Sequence, residues 1–139
     1  MEQKIKMTNR KIEEIMFNPG TAEAIKQEFP GKNSYWIARA FDRVEQLYKP
    51  YQKEVQKVVE QYAQKETING KEKVMRWPNK KPVWGDNEEV AEAEIEVLKD
   101  IEVDLGIDLI DLDLDKLEEK GINVAPVTFM IIQPFLKDM

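Results

Sequence analysis

From Ile37 to Tyr62 the apolar residues Ile37, Phe41, Val44, Tyr48, Tyr51, Val55, Val58 and Tyr62 recur at alternating steps of four and three without a miss. On a helix that spacing lays them along one stripe, whereas on a strand it would scatter them over both faces. Arg39, Asp42, Arg43, Gln46, Lys49, Lys53, Gln56, Lys57 and Glu60 fill the outward positions, and Ala38, Ala40, Leu47 and Val59 widen the stripe. The chain is therefore organised by one helix of about 30 residues, roughly 45 Å long, with Asn33 or Ser34 as its cap. Pro50 falls on the outward face, where it deletes one backbone hydrogen bond and crowds the preceding turn. Because the register continues past it, one helix kinked near residues 46–50 is expected rather than two helices. A strict heptad seam can serve a coiled coil with a second chain or a helical hairpin within one chain, and one such segment does not choose between them.

Shorter elements flank this helix. Lys4-Ile5-Lys6-Met7 alternates as a half-buried strand does, Thr8 or Asn9 follows as a helix cap, and a helix should run to Phe17 before Asn18-Pro19-Gly20 stops it. Thr21 is read as the cap of a second short helix that reaches Phe29, where Pro30-Gly31 closes it. Past Gln64 the pattern turns polar with turn signals at Asn69-Gly70, 78–82 and Gly85-Asp86, which predicts an excursion over 66–85, with a hairpin pairing 73–77 with 83–84. Asp86 then caps a helix reaching Lys99, whose Val90, Ala91, Ile95, Val97 and Leu98 pack back on the long helix. The strict alternation of Ile101-Glu102-Val103-Asp104-Leu105 predicts a strand broken by Gly106. Asp113 or Asp115 caps a short helix ending at Lys120-Gly121, and Pro126 opens a last apolar segment. The expected fold is a helix-dominated α+β single domain over 1–139. Its long kinked amphipathic helix packs with shorter helices and a small antiparallel sheet or hairpin, strand 4–7 pairing with strand 101–105.

The composition narrows the chemistry. There is no cysteine, no histidine and one serine, Ser34, so disulfides, thiolate or imidazole metal sites and the usual nucleophile triads are absent. Asp111-Leu112-Asp113-Leu114-Asp115 begins like a calcium loop, but Lys116 and Ile122 stand where that loop needs glycine and a bidentate glutamate. Glu88, Glu89, Glu92, Glu94 and Glu96 spread over a helix surface as a solvated face does. No catalytic residue, metal or cofactor is expected, and the chain is read as a non-enzyme. No leader is read in residues 1–8. The apolar run 127–136 is interrupted by Gln133 and Pro134 and falls short of the roughly 20 residues a membrane span needs. A reducing cytoplasm, with no membrane partner, is the expected setting.

Binding surfaces remain. The net charge of −6 is unevenly spread: residues 1–85 carry 17 Lys and Arg against 11 Asp and Glu, while 86–120 carry 3 against 15. Between Lys65 and Trp84 the cations surround two tryptophans, and Lys73, Arg76, Trp77, Lys80, Lys81 and Trp84 are the candidate partner-binding residues. A protein partner or self-association, most simply a two-fold dimer, is the leading expectation. The open seam, the opposed charge halves and the apolar tail favour it. Phosphate contact with base stacking on the same residues is the alternative, set against a pI of about 4.9 and the absence of any nucleic-acid-binding signature.

The order of elements resembles a known group. A short strand, a long helix carrying Ser34-Tyr35-Trp36-Ile37-Ala38-Arg39, a polar break near Asn69-Gly70, a second helix, the Ile101-Glu102-Val103-Asp104-Leu105 strand and a closing Pro134-Phe135-Leu136 are together similar to a family of small uncharacterised proteins encoded by tailed bacteriophages and prophages. The resemblance spans most of the chain and implies a phage or prophage setting, with the host cytoplasm as its compartment, but it brings no activity and no site residues with it. In that setting the leading expectation from the binding surfaces is an accessory protein that acts as a protein-binding or assembly module, and an inhibitor of a host factor is a further, separate alternative.

Overall fold

A computed structural model describes residues 3–137. In chain order the elements are β1 (Lys4–Thr8), α1 (Asn9–Phe17), α2 (Thr21–Lys26), α3 (Lys32–Tyr62), β2 (Lys65–Ile68), β3 (Lys71–Val74), α4 (Glu88–Lys99), β4 (Glu102–Asp108), α5 (Leu114–Glu119) and α6 (Pro126–Ile132). Single 3-10 turns precede α4 and follow α6. The fold is helix-dominated α+β with two antiparallel two-stranded sheets, β1–β4 and β2–β3. The chain divides into two compact units, Met1–Tyr48 with Glu102–Met139, and Lys49–Ile101. The division falls inside α3 at the residue before Pro50, through which the helix continues unbroken.

In the first unit β1 and β4 pair as the alternation predicts, with Met7 opposite Val103 and Thr8 opposite Glu102. The expected break at Gly106 is instead a bulge. Lys6 pairs with Asp104 but Lys4 pairs with Asp108, so extra β4 residues are accommodated around Gly106 at φ +73, whose N–H donates to Asp104 Oδ1 at 2.7 Å. Glycine reaches that left-handed conformation at little cost, so β4 bends and continues to Asp108. Ile5, Met7, Leu105 and Ile107 are buried, and Phe41, Val44, Ile132 and Phe135 join them in one core.

Local signals explain most element ends. Thr8 caps α1 by accepting from the Lys11 N–H, Asp113 caps α5 by accepting from Lys116 N–H, and Pro126 opens α6. Thr21 is not a cap. Gly20 takes that position, and the Thr21 hydroxyl donates to the Ile15 carbonyl at 2.6 Å, so α2 begins earlier and ends at Lys26, short of Phe29. The long helix starts at Lys32, ahead of the expected Asn33 or Ser34 cap. Its seam is buried in the folded chain at Ile37, Phe41, Val44, Tyr51 and Val58 and half-buried at Tyr48, Val55 and Tyr62. Ala38, counted in the stripe, is exposed.

In the second unit the hairpin register differs from expectation. β2 and β3 pair across Asn69-Gly70, with Lys65 opposite Val74 and Glu66 opposite Lys73. Asn69 and Gly70 have φ of 53° and 76°, the two positive values of a type I′ turn, whose twist matches the strands. Alternation misses these strands because their residues are exposed on both faces, half-buried Val74 excepted. The expected 73–77 with 83–84 pairing reduces to an Arg76–Pro82 bridge flanked by two hydrogen bonds, Trp77 N–H to Lys81 and Val83 N–H to Met75.

Asn87, not Asp86, stands at the N-cap of α4. Its side chain leaves its own helix uncapped and donates to the Tyr62 carbonyl at the end of α3 at 3.0 Å. The Tyr62 hydroxyl donates to Glu94 at 2.9 Å, and this bond, more than burial, holds the phenol above the ordinary tyrosine range. Ala91, Ile95 and Leu98 form the inward stripe of α4, whereas Val90 and Val97 are exposed. They lie seven residues apart on a neighbouring stripe, not the one that packs.

Candidate functional site

The basic tryptophan segment lies wholly in the second unit. β3 ends at Val74, the chain stays bridged to Pro82 at Arg76, and from Pro78 it reverses in a tight turn: the Lys80 N–H donates to the Trp77 carbonyl and the Trp77 N–H to the Lys81 carbonyl, both at 2.8 Å. Pro78 supplies the preset φ that the first turn position favours. The Asn79 side chain accepts from the Lys81 N–H at 3.0 Å, and Arg76 Nη1 donates to the Lys80 carbonyl at 3.0 Å. The turn is therefore held by four hydrogen bonds, two of them from side chains.

Lys80 takes the left-handed position, with φ of 70°. Glycine is the usual residue there, and a lysine costs roughly 1 kcal/mol in that conformation. Strain of this kind is retained where a side chain is needed for something besides folding. Lys80→Gly should accordingly leave the melting temperature unchanged or raise it slightly, as measured by thermal denaturation. A clear loss of stability would make the lysine structural.

The six candidate residues separate. Trp77 is 57 % exposed on the turn, with Arg76, Lys80 and Lys81 exposed around it. Lys73 is exposed on β3, four residues before Trp77, and sits opposite Glu66. Trp84 is half-buried beyond the turn, where its carbonyl accepts the Asn87 N–H at 3.2 Å, so it anchors the chain entering α4. A polar hollow of about 560 Å³ is lined by Lys73 and Arg76 together with Gln56, Glu60, Lys65, Glu72 and Val74.

The acidic groups assemble no metal site: among the described residues no cluster of three or more carboxylates has the geometry to hold an ion. The Asp113 carboxylate is engaged as a helix cap, and Leu112 beside it is buried. Glu88, Glu89, Glu92, Glu94 and Glu96 are all exposed.

Two further groupings in the first unit lie mostly outside the stripe that the periodicity picks out, which begins at Ile37. At the start of α3, Tyr35 and Trp36 meet edge to face at 5.1 Å and the Arg39 guanidinium lies 5.8 Å from the Tyr35 ring centre. A shallow, mostly apolar groove of about 400 Å³ is lined by Ile15, Met16, Pro19, Ala22, Ile25 and Ala38, among others. Among the described residues no helix is long and apolar enough to cross a membrane. No family model matches the chain, and neither the curated proteins nor the solved structures give a match.

Proposed function

We propose that this chain is a non-catalytic protein-binding module that engages an acidic partner surface through the turn centred on Trp77, in a phage or prophage setting where it serves assembly or captures a host factor. The carrying observation is the exposed Trp77 on a turn already fixed by four hydrogen bonds. A large aromatic presented on a rigid turn loses little freedom on binding, which is how the few dominant residues of protein interfaces act. Arg76, Lys80 and Lys81 around it would steer a negatively charged partner and set the salt dependence of association. The setting is inferred from the likeness in element order to small phage and prophage proteins.

The test is capture from phage-infected host extract with wild-type chain and with Trp77→Ala, followed by titration of the captured protein. Truncating the anchor should weaken binding by about 2 kcal/mol or more, while Lys80→Ala or Lys81→Ala singly should each cost under about 1 kcal/mol. Equal binding by wild type and Trp77→Ala overturns the reading. Titration with single- and double-stranded oligonucleotides at low and moderate salt separates the alternative. A steeply salt-dependent affinity that disappears on charge reversal at Lys73, Arg76, Lys80 and Lys81 would assign the turn to nucleic acid instead.

A further inference from the structure

The turn is fed by β3 and the bridged residues 75–77, whose outer edge makes no backbone hydrogen bond among the described residues. Met75 donates its N–H to Gln64 and accepts from Val83 with its carbonyl, and Trp77 donates to Lys81. Bonding groups alternate sides along a strand. Those of 71, 73, 75 and 77 therefore face β2 and the 81–83 segment, while those of Glu72, Val74 and Arg76 point the other way. Among the described residues no backbone group bonds to them there. Glu72 and Arg76 are exposed and Val74 is half-buried.

We infer that this edge pairs antiparallel with the same edge of a second copy of the chain, about a two-fold axis at Val74. In that register Glu72 lies opposite the second copy's Arg76 at both ends, Val74 opposite Val74, Lys73 opposite Met75, and Lys71 opposite Trp77. Directly opposed unlike charges and cation–aromatic neighbours are favourable cross-strand pairs. The neighbouring registers fail. Slipping one way places Lys73 against Lys73 and then Glu72 against Glu72. Slipping the other way places Pro78, which has no N–H to give, against Glu72 and then against Val74, with Arg76 against Arg76. Slips of odd length point the wrong groups across the gap. Charged side chains on an edge usually repel further strands. Here their order, positive, negative, positive and positive at 71, 72, 73 and 76, attracts in this register and sets like charges against each other in every neighbouring one except the slip that Pro78 disfavours.

The pairing goes beyond the partner-binding reading and does not depend on it. It concerns the chain alone, so it stands or falls without any acidic partner. The contact is small, so the dimer is a weak one. Sedimentation of the full chain from about 10 μM to about 1 mM should show concentration-dependent dimers. Glu72→Arg or Arg76→Glu alone should weaken the dimer by about tenfold or more, and the double variant should restore it to within about threefold, because the swapped charges oppose again. Lys80→Ala with Lys81→Ala should leave dimerisation unchanged while reducing any partner binding, which separates failure of one reading from failure of the other. A readout that needs no variant is amide exchange in the wild-type chain. The N–H groups of Glu72, Val74 and Arg76 should exchange more slowly as concentration rises, with those of Glu66 and Ile68 unaffected. A monomer throughout that range, exchange independent of concentration, or a double variant no better than the single ones overturns the proposal.

Discussion

Val44→Asp is expected to lower stability by about 3–5 kcal/mol, the range for an unpaired charge placed in a packed core. Val44 is 1 % exposed, in one apolar cluster with Phe41 and Leu105 in the first unit's core. A loss of this size is a large fraction of the roughly 5–15 kcal/mol that holds a domain folded. The variant should show a depressed midpoint in chemical denaturation and a much lower melting temperature. Val55→Asp makes the same change at a half-buried position and should cost clearly less, since its carboxylate can reach water. Arg39→Ala, on the exposed face, forfeits a stacked contact with Tyr35 and should cost under about 1 kcal/mol. Equal midpoints for Val44→Asp and Arg39→Ala would refute the placement of the seam.

Phe135→Ala carries the second large effect, a loss of about 3–5 kcal/mol. Phe135 is fully buried and meets Phe41 edge to face at 5.2 Å. Its backbone is tied as well, since the Ile110 N–H donates to the Phe135 carbonyl and the Lys137 N–H to the Ile110 carbonyl, each at 2.9 Å. Removing the ring leaves a void between α3 and the closing segment that fixed backbone cannot collapse to fill. Phe135→Leu, which keeps much of the volume, should recover most of the loss. If the alanine and leucine variants denature alike, the ring is not packed as described. This also revises the reading of residues 127–136 as an apolar tail open to self-association: Ile131, Ile132 and Phe135 are core, and Val127 and Met130 are its exposed members.

Features encoded within a few residues were legible in the sequence. Thr8, Asp113 and Pro126 act at helix starts as their chemistry dictates, and the period of the long helix survives Pro50 because the proline sits on its outward face. The strand pairing of 4–7 with 101–105 could be guessed because both alternate and each needs a partner. What escaped was decided by tertiary context. Gly106 can break a strand or bulge it, and only the opposing strand determines which. Lys65–Ile68 and Lys71–Val74 lack the apolar alternation by which strands are read, because all their residues but half-buried Val74 are exposed, and Asn69-Gly70 alone marks the hairpin. Val90 and Val97 read as packing residues until the helical angle separates them from Ala91 and Leu98. For the candidate site, the residue types were legible but the division between a presented Trp77 and a half-buried Trp84 was not. It depends on where Pro78 and Lys80 close the turn.

The pairing of β1 with β4 imposes an order on synthesis. Lys6 finds its partner Asp104 only after about a hundred further residues have been made, which at about 5–20 residues per second takes roughly 5–20 s. Over that interval Ile5 and Met7 have no strand to cover them, whereas the β2–β3 hairpin, closed by two residues, can form within microseconds of leaving the ribosome. The second unit, continuous in sequence, is thus able to fold during translation, while the first must wait for its C-terminal half. A ribosomal pause placed before β4 emerges would prolong the exposure of β1 and raise the yield of aggregated nascent chain, leaving the hairpin untouched.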